Sequence, residues 1–258
     1  MPLPTRIPCA ILSSVILTPQ QLSIQLYTLR SLAENDPAAV LTKLAELGYR
    51  SVEMAGTYGR TAGEFRRLLD DAGLQATSSH VKLNDEIVDT INDALTLGHS
   101  FVVVPWAQFD TADEWRRFAD ELTAAAVLAQ QAGISLGYHN HAHEFTQTID
   151  GVRPYELITQ NTDPHLVHLE VDLYWAVHAG VDPRDILAAN PGRVRQVHVK
   201  DRTIDGAMAD PGEGVIAFTD LIPMAARSGV IEFIVERDDA HDPYATAETG
   251  LAFLRQFC

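Results

Sequence analysis

From residue 22 onward, short β-rich runs alternate eight times with longer amphipathic runs, and this alternation restricts the fold more than any other feature. The β runs are read over 23–27, 50–55, 74–81, 101–105, 134–138, 166–173, 194–199 and 232–235. The helical runs are read over 36–47, 61–72, 85–97, 111–131, 151–160, 182–189, 218–228 and 244–257. Gly48, Gly73, Gly98 and Gly133 follow helical runs, where a left-handed residue ends a helix. Strands separated by helices pair in parallel. Eight such units without a linker predict an α/β fold, a single closed (β/α)8 barrel, over residues 21–258, preceded by an N-terminal extension over 1–20. An open doubly wound sheet is the rival, but the turn Thr28-Leu29-Arg30-Ser31 lacks that fold's glycine-rich phosphate loop.

The charge balance removes some functions. With 19 basic against 35 acidic residues the net charge is −16, and no basic cluster offers a footing for nucleic acid. The two cysteines, Cys9 and Cys258, indicate neither a disulfide framework nor a zinc–thiolate site, so a reducing, cytoplasmic setting is expected. The apolar run over 7–17 is broken by Ser13 and Ser14 and is too short to span a bilayer, so no membrane association is expected.

The chemistry is concentrated where β runs end. Those ends carry Glu53, His80, Trp106, His139, His141, Asp172, Trp175, His198, Lys200 and Glu236. In a barrel of parallel strands the C-terminal strand ends converge, so residues far apart in sequence reach one site. Mixed imidazoles and carboxylates suit one borderline divalent ion: Mn²⁺ is expected first, with Co²⁺, Fe²⁺, Ni²⁺, Zn²⁺ or Mg²⁺ as alternatives.

Each residue also has a plainer reading. Asp172 suits a helix cap, His198 suits the helix layer instead of the lumen, and Glu53 suits a salt bridge to Arg50 or Arg60. A lone strand-end histidine is more often structural, but His139, Asn140, His141 and Glu144 within six residues favour a ligand role. Trp106 and Trp175 either stack on a sugar ring or fill the barrel mouth.

Several motifs together resemble the sugar phosphate isomerase/epimerase family, the xylose-isomerase-like TIM barrels. They are Tyr138-His139-Asn140-His141-Ala142-His143-Glu144-Phe145, Leu169-Glu170-Val171-Asp172, Val197-His198-Val199-Lys200-Asp201, Gly212-Glu213-Gly214-Val215-Ile216 and Val235-Glu236-Arg237-Asp238. Gln25-Leu26-Tyr27-Thr28-Leu29-Arg30 and Leu47-Gly48-Tyr49-Arg50-Ser51-Val52-Glu53 resemble the family's first two strands.

The resemblance implies a divalent metal on Asp172, His198 and Glu236, with His139 where ketose epimerases carry a glutamate. Either His139 takes that ligand's place or Glu144 reaches in from the loop. In those epimerases paired glutamates exchange the proton; here Glu236 remains, and the second group comes from Glu144, His141, His80 or Lys200.

The expected activity is isomerisation or epimerisation of a sugar or keto-sugar by α-proton abstraction through a metal-stabilised enediolate. Glu236, Glu144 and His141 are the catalytic candidates, and Glu53, His80, Trp106, Trp175, Lys200 and Arg202 the substrate contacts. Elimination from a 3-keto sugar or glycoside is the enzymatic alternative; a non-catalytic sugar-binding barrel is the alternative of another class. Repair of abasic DNA, also found in this superfamily, conflicts with the acidic charge. The expected partner is a small sugar, and a homo-oligomer is allowed.

Overall fold

In the computed structural model the described residues are 17–258. Most of the segment read as an N-terminal extension, with Cys9, lies outside them.

Eight parallel strands form the barrel: β1 Leu22–Ile24, β2 Ser51–Met54, β3 Gln75–His80, β4 Phe101–Val104, β5 Ser135–His139, β6 Val167–Asp172, β7 Val194–Val199 and β8 Glu232–Val235. Their order around the sheet is β1-β8-β7-β6-β5-β4-β3-β2. A single parallel bridge between Gln25 and Glu53 brings β1 to β2, so the barrel is nearly closed. Gln25 Nε2 donates to Glu53 Oε1 across that seam at 2.7 Å.

Local chemistry sets the connections. Asp36 caps the helix Pro37–Leu47 by accepting from the Ala39 amide, and Thr61 with Glu64 closes a capping box on Ala62–Ala72. The first strand ends earlier than its apolar run suggests. The Gln25 side chain accepts from the Tyr27 amide and turns the chain into the 3-10 helix Leu26–Leu29. The helix read over 151–160 runs over Pro154–Asn161, because proline at its first position fixes the start. Two short helices, His143–Thr146 and Leu173–His178, and a ribbon pairing Asp201–Arg202 with Met208–Ala209 were not anticipated.

Alternation along the strands separates two environments. Val167, Leu169, Val171, Val197, Val199, Phe233 and Val235 face the helices and join the apolar clusters there. Their neighbours His168, Glu170, Asp172, Gln196, His198 and Glu232 fill the lumen and are buried. Gly137 leaves the space that His168 occupies: a Cβ there would lie 2.4 Å from the imidazole. Among the described residues no helix is long and apolar enough to cross a membrane.

Candidate metal centre and its cavity

The last four strands each place two polar residues two positions apart at their C-terminal ends: His139 and His141, Glu170 and Asp172, His198 and Lys200, Glu236 and Asp238. A period of two keeps both members on the lumen side, one deeper and one nearer the mouth.

Glu170 is the hub of the deeper level. Its Oε1 accepts from His80 Nε2 at 2.9 Å and His139 Nδ1 at 3.0 Å, and His198 Nε2 lies 3.2 Å away. Burial pushes the Glu170 carboxyl up, but the His198 charge and these imidazole bonds outweigh it and hold the group well below the usual carboxylate range. Glu53 is also buried. Burial, then the Glu170 charge, raises it, while Gln25, Ser78 and His198 occupy its oxygens.

His198 connects the levels. Its Nε2 meets Glu53 at 2.8 Å, and its Nδ1 meets Glu236 Oε2 at 2.8 Å and lies 3.9 Å from Asp172 Oδ2. His139 behaves similarly: with Nδ1 on Glu170, its Nε2 is left 3.9 Å from Asp172 Oδ2. Burial and the neighbouring His198 drop His139 to about 3, so it is neutral and carries a free ring lone pair. A carboxylate behind each imidazole is how ligand histidines are fixed in one tautomer.

Asp172 combines both readings made of it. One oxygen caps the helix Leu173–His178, accepting from the Trp175 amide at 2.8 Å. The other, Oδ2, is buried and receives no hydrogen bond, although Lys200 Nζ lies 3.1 Å away. Burial raises Asp172 to about 6 against the pull of Lys200. Lys200 also reaches Glu236 at 2.7 Å and Asp238 at 2.8 Å. Burial lowers the Lys200 ammonium, but the charges of Asp172, Glu236 and Asp238 more than reverse that and raise it well above its usual range.

These residues fit a divalent cation. Asp172, His198 in its neutral form and Glu236 bring oxygen and nitrogen ligand atoms close to one another, with His139 Nε2 3.9 Å from Asp172 Oδ2, and Asp172 Oδ2 receives no hydrogen bond and shares the Lys200 ammonium with Glu236 and Asp238. Five carboxylates, Glu53, Glu170, Asp172, Glu236 and Asp238, face one ammonium and the imidazoles of His80, His139 and His198. That acid excess suits a second cation. A deeper grouping of His80, His139, His198 and Glu170 is equally compact, but its nitrogens already spend themselves on Glu170.

A cavity of about 760 Å³ opens over this floor and is lined by His80, His139, His141, Lys200, Glu236 and Asp238 on one side and Trp106 on the other. His141 lies between the Trp106 and Trp175 rings, 4.8 and 5.6 Å away, and its buried Nδ1 has no partner. Burial first, then His139 and Lys200, lower His141 to about 2. Trp175 stands behind the lining, its ring 5.5 Å from Lys200 Nζ.

Four expected roles are corrected by these positions, the first being Trp175, which was expected on the substrate and does not line the cavity. Glu144 does not enter the site: its oxygens accept from Tyr138 Oη at 2.7 Å and the His141 amide at 2.8 Å, and the side chain is sealed. It fastens the loop that carries His141. Arg202 points away, donating to the Thr203 carbonyl within the ribbon, and does not line the cavity. Glu53 lies beneath the floor, held by Gln25, Ser78 and His198, instead of contacting a substrate or pairing with Arg50 or Arg60. Glu170 had no assigned role. Its spacing of two from Asp172 on a β run was the available signal.

The glycine motif is also structural. Asp201 Oδ2 accepts from the Gly212 and Gly214 amides, and Oδ1 from those of Arg202 and Ile216. A Cβ on Gly214 would sit 2.3 Å from Asp201 Oδ1.

Residues 41–257 match the family model described as xylose isomerase-like TIM barrel. The chain belongs to that family. It is 26% identical over 271 residues to the inosose dehydratase of Geobacillus kaustophilus, covering 83% of this chain and 85% of that protein. A sugar phosphate isomerase/epimerase structure from Parabacteroides distasonis superposes with a TM-score of 0.79 at 26% identity, covering 96% of this chain and 98% of the other. A 3-keto-D-glucoside 4-epimerase from E. coli shares the fold at a TM-score of 0.70 and 18% identity, covering 92% and 99%.

Proposed function

We propose that this protein is a divalent-metal-dependent enzyme that moves the proton α to a carbonyl in a sugar or keto-sugar, as an isomerase or epimerase. The observation that carries the reading is the compact grouping of Asp172, His198 and Glu236 beneath an open cavity, with His139 Nε2 3.9 Å from Asp172 Oδ2, an oxygen that receives no hydrogen bond. An ion held by these four residues, Mn²⁺ by preference, would supply the positive charge against which a carbonyl oxygen becomes negative as the α-proton leaves.

The chain's own groups do the rest. The Lys200 ammonium is fixed at the floor by Asp172, Glu236 and Asp238, whose negative charges it balances. Glu236 stays ionised: burial opposes this, but Lys200 and His198 hold its pKa well below the usual range. It accepts the α-proton only from a substrate whose C–H has been acidified. His141, a neutral imidazole that lines the cavity, is the second proton-transfer group. These two residues follow β8 and β5, which two strands separate, so they approach a bound sugar from different sides.

The relative named inosose dehydratase supports a second outcome from the same proton removal. If the hydroxyl β to the carbonyl leaves as water, the enzyme is a dehydratase. Deuterium uptake into a panel of keto-sugars, followed by NMR and mass spectrometry with metal-loaded and metal-stripped protein, tests both. Exchange with the carbon skeleton intact indicates epimerisation or isomerisation, and exchange with loss of water indicates elimination. Undiminished exchange by stripped protein, or none by loaded protein across the panel, rejects the reading.

A further inference from the structure

The cavity has two unlike halves. The titratable floor is carried by His80 and the ends of β5 to β8, whereas the wall above it on the β3 and β4 side presents Val81, Leu83, Pro105, Trp106 and Phe109, with Lys82, Asn84 and Glu121 among them. Trp106 is 52% exposed, a large aromatic surface left facing the opening beside a polar floor. A free sugar carries hydroxyls on every edge, so on the floor it would leave this apolar wall against water. A volume of about 760 Å³ lies in the upper part of the range typical of sites for larger ligands.

The wall does not suit a phosphate. Among the described residues Lys82 and Lys200 are the only Lys or Arg residues lining the cavity, and the Lys200 ammonium is already surrounded by Asp172, Glu236 and Asp238. No arginine offers the paired donors that phosphate recognition favours.

We propose that the keto-sugar carries a planar apolar substituent, so that the substrate is an aryl ketoglycoside, one ring hydroxyl of its sugar oxidised to the carbonyl, whose sugar rests on the floor and whose aglycone lies on Trp106, Leu83 and Phe109. This rests on the carbonyl-sugar reading above and names its substrate class. Trp106 offers a ring face for stacking, and Val81, Leu83 and Pro105 cover the aglycone edge.

The test is calorimetric titration of Mn²⁺-loaded protein with matched methyl and phenyl 3-ketoglycosides, made from the glycosides of glucose, galactose and xylose by oxidising the 3-hydroxyl to a ketone, in both anomers. For at least one sugar the phenyl glycoside binds about 10-fold or more tighter than the methyl partner, the gain expected from covering a phenyl ring. Trp106→Ala, and separately Leu83→Ala, brings that ratio toward one; thermal melting of each variant checks that it remains folded. Equal affinity within every pair, binding of neither member in any pair, or a ratio that survives both substitutions overturns the proposal. The proton-exchange experiment is independent of this result. Exchange without aryl preference leaves the reaction and removes the aglycone, while aryl preference without exchange does the reverse.

Discussion

Glu232 and Asp172 are both carboxylates sealed inside the barrel, one at the N-terminal end of β8 and the other at the C-terminal end of β6. Glu232 sits in a neutral girdle: Thr77 donates to one oxygen, and Gln196 Nε2 donates to the other at 2.9 Å. Gln196 in turn meets His168 at 3.0 Å, and Thr77 meets Ser51 at 2.9 Å. Burial raises Glu232 to about 7, partly offset by its hydrogen bonds. Asp172 has an oxygen that receives no hydrogen bond and shares the Lys200 ammonium, 3.1 Å away, with Glu236 and Asp238, at a level where carboxylates outnumber cations. Burial alone therefore does not mark a functional carboxylate. The mark is a deficit of donors beside an open cavity, because a satisfied buried acid is neutral scaffolding and an unsatisfied one requires a cation.

The largest effect should follow loss of the residue shared by both levels. His198→Ala is expected to abolish bound divalent metal and proton exchange together, read by elemental analysis and NMR; full metal content would break the contrast. Chelating the metal from the wild-type protein should lower its melting temperature, since ligand at 100 times its dissociation constant stabilises by about 2.7 kcal/mol. An unchanged melting temperature would mean that the upper level needs no ion.

Glu170→Gln should retain the fold and weaken metal affinity by about 10–100-fold, because the imidazoles of His139 and His198 lose the carboxylate that orients them. A competition titration against a coloured chelator measures this, and an effect below about 3-fold would make Glu170 mere filling.

The smallest effect on the metal belongs to Glu232→Gln, whose girdle is separate; affinity should stay within about 3-fold. Its signature lies in stability. The folded pKa of about 7 exceeds the ordinary 4.5, so folded protein binds more protons between those values. This group's stabilisation is complete below about 4.5, declines as pH rises and is gone above about 7. Denaturant titrations should show that decline flattened in the variant. A decline of equal slope in both proteins would assign it elsewhere.

Much of the candidate site was legible because chemistry followed strand ends. His139, Asp172, His198, Glu236 and Lys200 were singled out as strand-end residues, the family resemblance gave the first four their ligand positions, and all five gather at one end of the lumen. Glu144 was selected from the histidine-rich cluster after β5 and Arg202 as an anion contact beside Lys200, but short local bonds, to Tyr138 and the His141 amide for one and to Thr203 for the other, turn them aside. Glu170 was passed over because one residue in a β run looks like any other inward position until its partners arrive from β3, β5 and β7.

The sequence by itself determined the eight alternating units, the acidic balance and the residues at the strand ends, since local propensity, periodicity and composition need no partner. Only the tertiary structure decided which of those side chains share a centre, which Asp172 oxygen remains free, and that an apolar wall faces the polar floor. Those facts depend on contacts between residues as much as 145 positions apart, such as Glu53 with His198, and closing the barrel is what brings them within hydrogen-bonding reach.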